Sequence, residues 1–370
     1  MKRMSPRSLR GRLAATGTIG LAATLALTAC SQGAPAAQES ADSGAVSEAS
    51  SEMPAELVGA KVAIVQQSGQ GDYFQQYLNG TRQQAEALGF ELSAYDAQGD
   101  NATQATQLEQ AISSGVDAII VRHGFPDTLC PGVNDAISKG IAVIAYDVNV
   151  SECADGVIQT QQSDEIMAQL VLDRMLEDIG ADAVVGYVNV EGIAPLDRRD
   201  AVWRQFVADN GWDQLFKTGS FTSSSASDSA PMVAAAMQAN PSVAAIYAPY
   251  DEFTKGTLTG LDQVSGSDDV LVYGADISNA DIELMRAEGS RWVATGATDP
   301  NAIGAAVLRT LALSMAGELN AQLVEFPPVL VTQEMLREDD IKNMEDLRAA
   351  VSELNLSQVS TADWMSVVSF

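Results

Sequence analysis

From Lys61 onward the sequence alternates short apolar runs with amphipathic stretches of helical length, and this alternation restricts the fold more than any other feature. Residues 62–65, 90–95, 117–121 and 142–146 read as strands, and residues 73–88, 102–114 and 133–138 as the helices between them. Gly89, Gly115 and Gly140 punctuate the pattern where helices should stop. It restarts after Ser163 with a helix over 164–179 and strands at 183–188, 244–247 and 270–273. Strand–helix–strand units of this kind build parallel sheets through right-handed crossovers. The expected fold class is α/β, with two doubly wound, three-layer (αβα) lobes that present ligand sites at the carboxyl ends of their strands.

The first 29 residues have another purpose. Lys2, Arg3, Arg7, Arg10 and Arg12 precede an apolar segment over 13–29, the pattern of a signal peptide. It ends in Leu27-Thr28-Ala29-Cys30, which resembles a bacterial lipobox and implies lipidation of Cys30. Residues 30–56 are rich in Ala, Ser, Gly and Glu and poor in large apolar side chains, so a flexible tether is expected. No later run is long and apolar enough to cross a bilayer. The chain is therefore expected outside the cytoplasm, held at the outer face of the membrane by its lipid alone.

Acidic residues number 49 against 21 basic ones, five of which belong to the leader. Such a surface repels phosphate backbones, so nucleic acid is excluded as a partner. Cys130 and Cys153 are the other two cysteines, and an oxidising compartment predicts a disulfide between them. One histidine and two thiols do not make a tetrahedral metal site. No cofactor is expected.

A series of ordered marks adds a resemblance. They are Tyr73-Phe74, Gly115-Val116-Asp117-Ala118-Ile119-Ile120, Ile144-Ala145-Tyr146-Asp147, Arg198-Arg199 before Trp203, Ala248-Pro249-Tyr250-Asp251-Glu252, Val272-Tyr273-Gly274-Ala275-Asp276, and Ala294-Thr295-Gly296-Ala297-Thr298-Asp299-Pro300. In this order they resemble the type I periplasmic binding proteins, particularly the ribose, galactose and allose group. The resemblance implies discontinuous lobes, 57–162 with 299–330 and 163–298 with 331–370. It also implies a three-segment hinge near residues 160–163, 298–300 and 330–332. It further implies a monomer that closes on a small sugar or polyol and presents the closed form to an ABC permease with its cytoplasmic ATPase.

Hydroxyl-rich ligands need carboxylates, amides or guanidinium groups at their edges and aromatic rings on their faces. Tyr73 and Phe74 are similar to the family's stacking aromatics, beside Gln70 in the turn after the first strand. Asp147 and Asp276 end strands in opposite lobes and are expected to face each other across the cleft, repelling while it is empty. Arg122 and His123 leave the third strand at the rim. The family often has arginine after the first-lobe aspartate, whereas here Val148 and then Asn149 follow. Asp197 aligns with the family's ligand-binding arginine and Arg199 with a nearby structural one, and a shift of one residue brings in Arg198. Tyr250 replaces a common asparagine and Thr298 a common glutamine. These departures leave the sugar open between a pentose, a hexose and a linear or branched polyol.

Two other uses of such a body stay in view, a sensor that delivers its closed form to a membrane receptor or kinase, and an extracellular carbohydrate-active enzyme. No Gly-x-Ser-x-Gly elbow, phosphate loop or metal-binding histidine pair supports catalysis, so the expectation is a binder and not an enzyme. The stretch after Gln333, with a helix expected over 342–354 and then Trp364 and Phe370, is expected to pack on the second lobe.

Overall fold

The computed structural model describes residues 43–370. The signal peptide, Cys30 and the first part of the tether lie outside the described residues. Helices and strands follow in the order β1 (Ala45–Ser47), β2 (Lys61–Gln66), α1 (Asp72–Leu88), β3 (Glu91–Asp96), α2 (Asn101–Ser113), β4 (Ala118–Arg122), α3 (Pro126–Ser138), β5 (Ala142–Tyr146) and β6 (Ile158–Gln162). The second series runs α4 (Asp164–Ile179), β7 (Val184–Val188), α5 (Ala194–Asp209), β8 (Asp213–Thr218), α6 (Ser225–Ala239), β9 (Ala245–Ala248), α7 (Asp251–Leu261), β10 (Leu271–Ala275), α8 (Asn279–Arg286) and β11 (Trp292–Ala297). The chain ends with α9 (Pro300–Met315), β12 (Leu323–Phe326), β13 (Val329–Thr332), α10 (Gln333–Glu338), α11 (Met344–Ala350) and β14 (Val367–Ser369).

Two six-stranded sheets carry the lobes, ordered β12-β6-β5-β4-β2-β3 and β13-β11-β10-β9-β7-β8. The first is parallel throughout. The second is parallel except for its edge strand β13, which runs antiparallel to β11. Each sheet is sandwiched between helices because its central strands, β2, β4 and β5 in one and β7, β9 and β10 in the other, are apolar on both faces. In the first lobe α1 and α9 cover one face and α2 and α3 the other. In the second, α4 and α5 oppose α6 and α7, while α8, α10 and α11 enclose a separate cluster around Trp292. In both sheets the strand order reverses beside the first strand of the lobe, β2 or β7, which opens a crevice at the carboxyl ends.

The chain passes between the sheets after Gln162, after Ala297, and at residues 327–328. Phe326 pairs with Gln162 in the first sheet and Val329 with Ala297 in the second, so this third passage precedes the expected 330–332. Its two residues are Pro327 and Pro328, which have no N–H to give to either ladder.

Three further expectations need correction. Residues 356–370 leave the second lobe, to which 331–370 had been assigned, and cross back. Leu356, Trp364, Met365 and Val367 are buried in the first-lobe core. Arg309 of α9 donates to the carbonyls of Val359 and Leu356, and the Trp364 indole donates to Glu318. The tether expected over 30–56 is also fastened from its middle on: β1 pairs antiparallel with β14, and the Ser50 and Ser51 amides donate to Asp363. Small polar residues suffice there because main-chain hydrogen bonds carry the pairing. Helix α3 starts at Pro126, a residue suited to the first helical position, and not at the expected residue 133, and it accommodates Pro131 inside it.

Candidate functional site

The lobes meet across the crevice, and its wall is made by residues that end or follow β2, β4, β6, β7, β8, β9 and β10. Tyr73, Phe74, His123 and Gln162 from the first lobe meet Ile193, Pro195, Leu196, Arg199, Phe221, Tyr250 and Asp276 from the second around a narrow pocket. Phe74, Phe221 and Tyr250 also border an outer, more polar chamber that Gln70, Ser68, Thr222 and Glu252 line.

The aromatic wall is organised from behind. The Arg122 guanidinium lies between the rings of Phe74 and Tyr77, 4.5 and 4.6 Å from their centroids, and donates to the carbonyls of Phe74 and Ser68. Arg122 is therefore a buried brace for the wall and not a rim residue. Phe74 in turn packs edge-on against His123 with centroids 5.2 Å apart, and the hydroxyls of Tyr73 and Tyr146 are hydrogen-bonded. Burial first, and then the charges of Arg122, Arg198 and Arg199, hold the His123 imidazole well below its usual range, so it is neutral.

Behind the cavity an ion-pair chain joins the lobes. Asp164, the first residue of α4, accepts from Arg198 Nε and from Arg199 Nε, both at 2.7 Å. Arg198 also reaches into the first lobe, with Nη2 2.7 Å from Asp147 Oδ1 and Nη1 3.3 Å from Asn149 Oδ1. Arg199 Nη1 donates to the Pro249 carbonyl and stands 3.5 Å from Asp276 Oδ2. The other oxygens, Asp147 Oδ2 and Asp276 Oδ1, are buried with no hydrogen-bond partner among the described residues. Burial dominates both carboxyls: desolvation and the nearby Asp164 push Asp147 up to about 7, and desolvation against the pull of Arg199 leaves Asp276 at about 6.

Six of the expected residues thus line the inner cavity: Tyr73, Phe74, His123, Arg199, Tyr250 and Asp276. Gln70 borders the outer chamber. Asp147, Asn149 and Arg198 form the ion-pair chain, and Asp147 sits behind the wall instead of facing Asp276 across open space. Thr298 is in the hinge, where its hydroxyl donates to Gln162 Oε1 at 2.6 Å, so the amide of Gln162 and not Thr298 reaches the cavity. Asp197 does not reach the site. It is exposed and accepts from the Gly192 amide at 3.0 Å, which closes the loop before α5. Sequence reasoning missed Gln162, Asp164 and the apolar group Ile193, Pro195, Leu196 and Phe221. Asp164 had a signal, as an acidic residue opening a helix just past the first hinge segment.

Cys130 and Cys153 are at disulfide distance, their Cα atoms 6.0 Å apart. Among the described residues no group of three or more His, Cys, Asp or Glu is placed to hold a metal ion, and no helix is long and apolar enough to cross a membrane.

Residues 62–319 match the family model described as periplasmic binding protein domain. The ribose import binding protein of Bacillus subtilis is 23% identical over 268 residues, covering 70% of this chain and 83% of its own. A crystal structure of a 5-methylthioribose transporter solute binding protein from Thermotoga lettingae, in complex with 5-methylthioribose, superposes with a TM-score of 0.81 at 34% identity and covers 85% of this chain and 98% of that one. A sugar ABC transporter structure from Yersinia enterocolitica gives a TM-score of 0.77 at 28% identity, over 85% and 95% of the two chains. With two αβα lobes, a crevice between them and a family match over most of its length, this chain belongs to the periplasmic binding protein domain family.

Proposed function

We propose that this protein is the extracytoplasmic solute-binding component of an ABC importer, a monomer tethered through a lipid on Cys30, that closes its lobes over a small sugar or polyol without altering it. One observation carries the reading: a closed cavity built from both lobes, with aromatic rings on its walls and the buried, unpartnered Asp276 Oδ1 at its edge. A ligand hydroxyl donating to that oxygen relieves a desolvation cost that the empty closed form bears alone. Closure then follows loading because the ligand has contacts in the closed form that the open form does not offer. A permease that reads the closed shape distinguishes loaded from empty protein, and a receptor reading the same shape would make the protein a sensor instead.

A narrower reading of the ligand rests on Ile193, Pro195, Leu196 and Phe221. A bare sugar has little use for four apolar contacts on one wall, whereas a sugar with an apolar substituent buries that group there. The relative crystallised with 5-methylthioribose supports including alkylthio sugars beside pentoses, hexoses and polyols.

Calorimetry and thermal melts with such a panel test the reading. At least one compound should bind near micromolar and raise the melting temperature as mass action requires. Asp276→Ala should then weaken it strongly. A panel without a binder, or an unchanged affinity in that variant, rejects the site, and chemical turnover of a bound compound would favour the enzyme reading. Mass spectrometry of membrane-extracted protein tests lipidation at Cys30, and a thiol count tests the Cys130–Cys153 bridge. Reconstitution with a permease in vesicles separates transport from sensing.

A further inference from the structure

At the lip of the cleft, away from the cavity, three helix starts converge around one lysine. Lys255 Nζ of α7 is 3.1 Å from Asp251, 2.9 Å from Glu252 and 3.2 Å from Asp281, all in the second lobe. From the first lobe Asp72, which opens α1, comes within 3.1 Å of the same nitrogen, and its carboxylate accepts from the Ser278 hydroxyl at 3.4 Å. Asp251 and Asp281 are fully buried, while Asp72 is one-third exposed.

The count of charges matters more than any single pair. One ammonium faces three acidic side chains of its own lobe, of which Asp281 is pushed up to about 8 by desolvation and by the nearby Asp251; the other two still outnumber the ammonium before Asp72 arrives. Closure brings a fourth carboxylate, that of Asp72, against this lip. Like charges at this range oppose closure unless a cation stands between them.

We propose that Lys255 is the counter-charge that lets the cleft shut, a latch at the lip that sets the open–closed balance without touching the ligand. This rests on the reading that the lobes open and close, but not on the identity of the ligand. In Lys255→Met the Asp72 carboxylate meets the acidic lip of the second lobe with no cation between them, so the closed form becomes rarer. Asp72→Asn removes that repulsion and should restore closure in the same background. Its effect in the otherwise native protein is smaller, because there it gives up a contact with the ammonium as well.

The test is a double-substitution cycle on the full-length chain with spin labels at Gln98→Cys and Ser223→Cys, exposed positions on opposite lips. Without ligand, Lys255→Met should reduce the strongly coupled label pairs, and adding Asp72→Asn should raise them again by more than Asp72→Asn does alone. For any ligand found, affinity should fall about tenfold in Lys255→Met and recover in the double variant, the range expected of a coupled equilibrium. Equal effects of Asp72→Asn in both backgrounds overturn the latch. So does a Lys255→Met protein that closes like the parent. Asp72→Asn is a change at a part-exposed helix start, and melting curves of all four proteins separate a latch effect from misfolding. If no sugar binds, the label result still decides the latch. If sugar binds and the coupling is zero, the latch fails while the binding reading stands.

Discussion

His123, Asp147 and Asp276 each follow the last residue of a strand, and each has a left-handed backbone, with φ of 52°, 51° and 72°. Side chains other than glycine occupy that region at a cost of about 1–3 kcal/mol, which surrounding structure must offset. The Asp147 amide is held by the Thr160 carbonyl and the Asp276 amide by that of Gly296, so the sheets themselves impose the turn that aims these side chains inward. Asparagine tolerates the same backbone and lacks the charge, so Asp147→Asn isolates electrostatics from geometry. Because both carboxyls are raised in the closed form, to about 7 and about 6, closing the empty cleft favours proton uptake. Their ionisation weakens the empty closed form at pH 8. That penalty fades as pH falls through those values toward the ordinary carboxylate range. Scattering measurements on ligand-free protein should show more closed form at pH 5 than at pH 8, and Asp147→Asn with Asp276→Asn should flatten the trend. The single Asp147→Asn should flatten the trend in part, leaving the share that Asp276 carries. Strand-end position was enough to find these residues from sequence. Asp197 was misplaced because only the fold shows that its carboxylate turns back onto the Gly192 amide.

Among the elements, α1 and α9 pack almost backbone to backbone. A Cβ on Gly80 would lie 2.0 Å from the Asn301 carbonyl oxygen, and one on Gly304 would lie 2.1 Å from that of Tyr77. Backbone cannot move aside as a flexible side chain can, so Gly304→Ala should push the helices apart and cost about 1–3 kcal/mol or more. Chemical denaturation should register this as a lower midpoint, and an unchanged midpoint would mean the two helices separate freely. The packing also explains what was legible. Strands β2, β4 and β5 are apolar runs buried on both faces, and α1 has a clear amphipathic period with a glycine stop. Strand β6 reads Ile-Gln-Thr-Gln-Gln, so hydropathy gives no sign of it, yet all five residues are buried. Its polar groups find partners instead: Thr160 donates to the Ala145 carbonyl, Gln161 to Glu325, and Gln162 accepts from Thr298. Helix α9 is buried on nearly every side, which erases the periodicity by which a surface helix is recognised.

At the scale of the whole molecule, both ends of the described chain finish on the first lobe. The last fifteen residues return from the second lobe to cover α1 and α9, and β14 lies between that surface and β1. This clasp ties residues 45–51 to the first lobe. The tail with Trp364 was expected on the second lobe and is buried in the first, because both lobes offer helical faces of similar character. Trp364 is 7% exposed within the first-lobe core and donates to Glu318, so Trp364→Ala opens a cavity and leaves that carboxylate without the indole. A cost of about 3–5 kcal/mol is expected, read as a lower melting temperature. Trp364 lines neither chamber of the cleft. Ligand affinity below the new melting transition should therefore stay within about threefold of the parent, as for distant, independent sites. A variant that lost affinity without losing stability would instead place the tail in the closing motion, with the returning segment acting as a fourth hinge strand and not as a cover for the first lobe.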